Sequence, residues 1–325
     1  MPHGPLLAHL WARLKARWPA LFLGLTVLSF FFIPAWGHTS GRMTSYGQDF
    51  AHFPLFAAIG AVLLYLWPRR NSALAKAGVV VGLALLIALL VEFFQPMVGR
   101  TAALQDVLIG AAGSFAAVSV YMGLRTASAR TRRWLVVTAG LLLLASALPL
   151  ALMLVDQYFA RRAFPLIDSF ERPVESSRWK SDGCLLQQVE EHATHGRYAL
   201  RFSIPGDGGT APGAFLYDEP MDWRGYRQIT LDAFLEGESD RNLILRIDDR
   251  LWAGLADRAQ VVVELKPGAN RLALDLPSFY ITPSGRTLDV SRIQGIGLYL
   301  DQARPGDALF LDHLTLSGRA PAFRR

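Results

Sequence analysis

Residues 77–95 read AGVVVGLALLIALLVEFFQ: fifteen residues that are apolar or glycine, then a carboxylate and an amide three positions apart. A helix needs roughly 20 predominantly apolar residues to cross roughly 30 Å of hydrocarbon. This run reaches that length only if Glu92 to Gln95 continue the helix, which places the polar pair near a membrane surface. Four further segments share the composition: residues 19–36, 52–67, 107–124 and 134–155. The expected fold is therefore an α-helical membrane bundle of five transmembrane helices. The second segment also needs its flank, Asp49 to His52, to reach spanning length.

Beyond Asp156 the pattern changes to short apolar runs, turn residues and dispersed charge, which a bilayer does not accept. Charge divides at the same place. Residues 1–163 carry 14 Lys and Arg against 4 Asp and Glu, a balance of +10, whereas residues 164–325 carry 19 against 23, a balance of −4. Basic residues precede the first segment (Arg13, Lys15, Arg17), follow the second (Arg69, Arg70, Lys76) and follow the fourth (Arg125, Arg130, Arg132, Arg133). The alternate loops hold only Arg42 and Arg100. The positive-inside rule then puts the N-terminus in the cytoplasm and the C-terminal domain outside. Arg161 and Arg162 argue the other way, but a long following domain makes loop charge least informative there. Charges that flank spans are topology signals, so the bilayer is the expected partner and nucleic acid is not.

The first segment is longer than the apolar region of a cleaved signal, and Ala35-Trp36-Gly37 is a poor cleavage site, so it is read as a retained helix. The organisation is then a cytoplasmic segment at 1–18 and a transmembrane domain of four helices at 19–125. A basic loop, fifth helix and linker follow at 126–163, then a β-sandwich at 164–318 and a tail at 319–325. The lone cysteine, Cys184, is expected to be a small buried side chain.

Alternating helix directions bring six polar residues to one outer level: Asp49, His52, Glu92, Gln95, Arg100 and Asp106. Ionisable groups at a membrane are expensive and mark a functional site by default. The spacing of three within Asp49/His52 and within Glu92/Gln95 puts each pair on one helix face. Asp106, Gly110 and Gly113 share a stripe, and Gly113 with Ala117 has the small-x-x-x-small spacing of close helix packing.

Asp49-x-x-His52-Phe53 opening one helix, Glu92-x-x-Gln95 closing the next, and Arg100, Asp106 and Gly113 in order resemble the VanZ-like family of membrane proteins over residues 20–125. Two positions depart from that pattern: Phe50 stands where the family has a basic residue, and Gly110 where it has Asn. The resemblance implies a membrane protein of a group linked to glycopeptide (teicoplanin) resistance; it implies no reaction. The side chains themselves suit two roles. They can form a binding pocket or structural network in which Arg100 pairs with Glu92 or Asp106. Alternatively, Glu92 and His52 act as acid and base on a lipid-linked or glycan substrate. Binding is the reading adopted. Transport fits less well, because no helix carries a charge at its middle and no paired broken helices are apparent.

Residues 184–191, 198–204, 214–217, 228–235, 242–247, 260–265, 271–276, 295–300 and 308–316 read as strands, punctuated by turns such as 205–209, 266–270 and 304–307. They predict an all-β jelly-roll sandwich. Asp168-Ser169-Phe170-Glu171, His195 to Leu200, Asp222-Trp223-Arg224-Gly225-Tyr226 and Leu311-Asp312 resemble galactose-binding-like carbohydrate-binding modules. That resemblance implies a structural calcium near Glu171 and Asp312, and a cell-wall glycan or lipid-linked precursor as partner. Trp223, Trp252, Tyr280 and Tyr299 are candidates to stack on sugar rings, with core packing the alternative for each. Asp248-Asp249-Arg250 reads as a solvated loop acid pair.

Overall fold

The computed structural model describes residues 24, 26, 42–67, 72–98, 102–205, 212–250 and 254–318. Apart from residues 24 and 26, the first apolar segment lies outside the described residues, as do the basic residues at 13–17 and 69–70, Arg100, Trp252 and the tail. The chain divides into two compact units: one runs to Ala151 but excludes residues 41–43, and the other holds Gly41–Met43 and everything from Leu152 on.

Among the described residues, four helices are long and apolar enough to cross a membrane: α1 (Arg42–Leu66), α2 (Ala73–Phe94), α3 (Leu104–Arg125) and α4 (Ala129–Ala163). The expected flanks do continue the helices. Asp49 and His52 do not open α1, however; the helix begins at Arg42, so His52 lies more than two turns inside it. No proline or glycine pair interrupts Arg42 to Gln48, and the helical pattern runs through it. Helix α2 starts on Ser72, whose hydroxyl accepts the Ala75 N–H at 3.2 Å, and ends where Gln95 opens a short 3₁₀ turn to Val98.

The faces of α2 are sorted by size. Ala77, Val80, Ala84, Ala88 and Val91 are buried, whereas Leu85, Leu86, Leu89, Leu90 and Phe93 are exposed. Small residues inside and large apolar ones outside is the pattern of a helix that packs closely on its neighbours and faces lipid. Phe56 and Ile59 of α1, Ala88 and Val91 of α2, and Val107 of α3 form one apolar cluster. Leu64, Ala77, Val80 and Val118 form a second. The first lies directly beneath the polar residues described below.

The other unit is an antiparallel β-sandwich. One sheet has the order β3 (Leu185–Val189), β4 (Ala199–Ser203), β11 (Ala308–Ser317), β6 (Gln228–Glu236), β9 (Gly268–Asp275), with β1 (Leu166–Asp168) also on β11. The other has the order β2 (Trp179–Asp182), β5 (Gly213–Met221), β10 (Ile293–Asp301), β7 (Arg241–Asp248), β8 (Ala259–Leu265). All pairings between these strands are antiparallel, as expected of a sandwich. Alternate residues of β7 and β10, such as Leu243, Leu245, Ile247, Ile296 and Leu298, meet Leu309, Leu311 and Ile229 of the facing sheet in one core. At ~25 cal/mol per Å² of apolar surface removed from water, that core is the main source of the unit's stability. Cys184 is buried within it, and its thiol donates to the Gly213 carbonyl at 3.0 Å. Burial pushes that thiol up to about 11, so it is no nucleophile.

Candidate functional site

Helices α1 and α3 cross with almost no side chain between them. A Cβ on Gly113 would overlap the Phe53 carbonyl, and one on Gly110 would lie 2.7 Å from Cδ2 of the Phe56 ring. Ser114 Oγ donates to the Phe56 carbonyl at 2.9 Å across the same crossing. The glycine that departs from the VanZ-like pattern thus makes room for an aromatic ring. This close approach brings His52 beside the first turn of α3, and Ala103, just before that turn, donates to Glu92 at the end of α2.

His52, Glu92 and Asp106 converge there, 2, 6 and 5% exposed. His52 Nε2 stands 3.7 Å from Glu92 Oε1 and 3.8 Å from Asp106 Oδ2. Its Nδ1 is 3.1 Å from the carbonyl of Gln48 one turn earlier. A carbonyl only accepts, so Nδ1 carries the hydrogen. Glu92 Oε2 accepts the Ala103 N–H at 2.8 Å, and the fully buried Gln95, with its amide nitrogen turned inward, donates to both Glu92 oxygens at 3.1 and 3.2 Å. Of the six expected residues, His52, Glu92, Gln95 and Asp106 therefore meet. Asp49 is half-buried on the preceding turn of α1, outside the convergent trio, and Arg100 lies outside the described residues. Sequence reasoning could not have found the Gln48 carbonyl or the Ala103 N–H, because both are main-chain groups.

A second candidate is the outer face of the five-stranded sheet. Alternation puts Lys180, Phe215, Gly297, Arg246 and Gln260 in one row across it, and Asp182, Gly213, Tyr299, Ile244 and Val262 in the next. A Cβ on Gly297 would lie 2.6 Å from Tyr299 Cε2, and one on Gly213 2.7 Å from Tyr299 Cδ1. The Tyr299 ring is thus laid along the sheet over two glycines. Arg246 reaches its hydroxyl at 3.5 Å and is itself paired with the buried Asp248. Burial raises the Tyr299 phenol above its ordinary value. Lys180, Asp182, Gln260 and Val262 on these rows are exposed, whereas Tyr299 is half-buried and Arg246 buried. The arrangement offers a flat aromatic with fixed polar groups around it.

The other aromatic candidates divide. Trp223 is fully buried in the core and cannot stack on a ligand, and Tyr280 is partly buried against the same core. Asp248 and Asp249 are not solvated: they are 1 and 6% exposed. Asp249 takes both Arg286 amino groups at 2.6 and 2.9 Å and the Asp289 N–H at 2.8 Å. Burial opposes its ionisation, but those hydrogen bonds hold its carboxyl below the usual range.

Glu171 and Asp312 flank one loop. Glu171 Oε1 accepts the N–H groups of Arg197 and Tyr198 at 2.9 and 2.8 Å, and Asp312 Oδ2 accepts those of Thr194 and His195 at 2.7 Å each. Among the described residues, the set of His, Cys and carboxylate groups close enough to share a metal ion is His52, Glu92 and Asp106.

One charged cluster has no counterpart in the sequence reading. Asp156 takes Arg178 Nη2 and Nε at 2.6 and 2.8 Å and Arg42 Nη1 at 2.9 Å. Arg178 also lies 3.8 Å from Asp168, which accepts the Trp179 indole at 2.9 Å. All these groups are buried.

No family model matches the chain, and no curated protein matches it. Among solved structures, it is similar to an exo-β-agarase at 13% identity and a TM-score of 0.38, covering 48% of this chain and 25% of that one. It is similar to the family 11 carbohydrate-binding module from Clostridium thermocellum, solved with a β-1,3-1,4-mixed-linked tetrasaccharide, at 18% identity and a TM-score of 0.37. That match covers 47% of this chain and 95% of the module. A third is the C-terminal family 22 carbohydrate-binding module of Clostridium thermocellum Xyn10B, at 14% identity, a TM-score of 0.32, and 47 and 92% coverage.

Proposed function

We propose that this chain is an integral protein of the bacterial inner membrane, VanZ-like in its helical part, that holds a glycan-binding sandwich on the outer side. The observation that carries the reading is Tyr299. Its ring lies over Gly213 and Gly297 on an open sheet face beside the Arg246–Asp248 pair. An aromatic face suits the apolar face of a pyranose, and fixed polar groups around it orient the hydroxyls. The ligand is a cell-wall glycan or a lipid-linked glycan precursor.

The charge asymmetry of the loops supports a cytoplasmic N-terminus, and the ordered motif from Asp49 to Gly113 supports the VanZ-like assignment. A contribution to glycopeptide resistance or envelope integrity follows from that assignment. The polar site at His52, Glu92, Gln95 and Asp106 serves the same ligand at the bilayer surface. The burial of His52 and Glu92 side by side favours one second reading, a membrane enzyme using them as base and acid. The test is a glycan array probed with the full chain in detergent. Binding to pyranose polymers that Tyr299→Ala abolishes supports the reading, and a blank array for the folded wild type contradicts it. Loss of a lipid or glycan product in folded Glu92→Gln would favour the enzyme.

A further inference from the structure

We propose that His52, Glu92 and Asp106 hold a divalent transition-metal ion of the zinc or manganese class. The inference concerns the helical unit alone and stands or falls apart from glycan binding. It begins with distance. His52 Nε2 is 3.7 and 3.8 Å from its two carboxylate oxygens, beyond the ~2.7–3.2 Å of an N–H···O hydrogen bond. Zinc–nitrogen and zinc–oxygen bonds of about 2.0–2.2 Å set an upper limit of about 4.3 Å between two ligands of one ion. Both distances fall under that limit.

Protonation points the same way. The Gln48 carbonyl fixes the hydrogen on Nδ1, so a neutral His52 presents the lone pair of Nε2 to two carboxylates. That is the form in which an imidazole ligates a metal ion. The surroundings also match a metal centre in their outer contacts. A metal-bound His usually gives its other N–H to a carbonyl or carboxylate, and ligating carboxylates are themselves hydrogen-bonded. Here the Gln48 carbonyl serves His52, while the Gln95 amide and the Ala103 N–H serve Glu92. One imidazole and two carboxylates, without sulfur, suit zinc, manganese or ferrous iron rather than cuprous copper. Three protein ligands leave a coordination position for water or for an oxygen of a bound phosphate or sugar.

The test uses the full chain purified in detergent without chelator, with bound metal counted by mass spectrometry. The stripped protein is then titrated with Zn²⁺ and with Mn²⁺ while thermal unfolding is followed. The expected result is about one ion per chain, a rise in unfolding temperature on re-addition, and loss of the ion in His52→Ala and Glu92→Gln. Gln95→Ala is expected to keep the site with roughly 10- to 100-fold weaker affinity, as for other outer contacts of metal ligands. Wild-type protein that carries no stoichiometric metal and does not respond to either ion overturns the proposal and leaves an internal polar network. Full metal content in folded His52→Ala or Glu92→Gln overturns it equally, since the ion would lie elsewhere. If those variants do not fold, the wild-type stoichiometry and thermal response decide alone.

Discussion

The backbone of Gly113 in α3 lies against the carbonyl of Phe53 in α1, so closely that a single methyl group has no room. His52 is the neighbour of Phe53, and Asp106 lies two turns before Gly113. The crossing therefore sets the separation of two of the three groups that meet at the polar site. Close approach of small residues is the usual means by which membrane helices gain packing, since lipid offers no hydrophobic drive.

Gly113→Ala should accordingly separate the two helices and destabilise the helical unit by about 1–3 kcal/mol, the usual cost of overpacking. Gly110→Ala should cost less, because it meets the edge of the Phe56 ring rather than main chain. Thermal unfolding in detergent orders the two. Equal stability of Gly113→Ala and wild type would contradict the crossing.

Arg178 forks onto Asp156 and also faces Asp168, all in buried surroundings. Removing one partner of a buried pair leaves an uncompensated charge and costs about 3–5 kcal/mol. Arg178→Met should destabilise by that amount. Arg178→Lys should recover little, because an ammonium cannot donate in the parallel pair that Asp156 accepts. Denaturant unfolding, followed by the fluorescence of the adjacent Trp179, measures both.

Asp168 gives the fold an unusual pH response. Burial raises its carboxyl from 3.8 to about 6, against the opposing pull of Arg178, the Phe170 N–H and the Trp179 indole. Between those values the folded state binds more protons than the unfolded chain, so stability falls as pH rises from about 4 to about 6, then levels. The size is about 3 kcal/mol at most. Asp249 and Asp307, whose carboxyls are held low, act in the opposite sense and only as pH falls below the ordinary aspartate value. Asp168→Asn should flatten the slope between pH 4 and pH 6, read as urea midpoints across that range. A wild-type midpoint that rises over this interval would contradict the assignment.

Sequence periodicity located nine strands of the sandwich within a few residues, because half-buried strands alternate and their turns carry glycine and proline. It missed β1 and β2, which have three and four residues and too little alternation to register. It also read 266–270 as one turn, although β9 begins at Gly268 after Lys266-Pro267 carries the chain between sheets. The helices were legible from composition, and the i, i+3 pairs indicated the faces on which His52 and Glu92 lie. Asp248 and Asp249 were misread for a different reason. Asp248 is paired by Arg246, two residues earlier on the same face of β7, a strand spacing the loop reading passed over; Asp249 is paired by Arg286, 37 residues away, which nothing local announces. Trp223 and Tyr299 looked alike as sugar-stacking candidates; only the folded structure separates Trp223, tucked into the core from the loop between β5 and β6, from Tyr299, which the register of β10 puts on the outer face.

Membrane orientation makes a prediction of its own. With the N-terminus in the cytoplasm, a cysteine placed at the exposed Glu190 in a Cys184→Ser background should react with an impermeant thiol reagent in intact cells. One placed at the exposed Arg130 should react only after lysis. The opposite labelling pattern would turn the polar site and the sandwich inward.

The central claim is that the open face around Tyr299 binds a glycan. Isothermal titration of the full chain with a pyranose oligosaccharide selected on the array tests it most directly. The account predicts saturable binding that weakens at least about tenfold in Tyr299→Ala, matching loss of a stacking contact of about 1.4 kcal/mol or more, with the unfolding temperature unchanged. Undiminished binding by Tyr299→Ala, or no heat from the folded wild type, would contradict it.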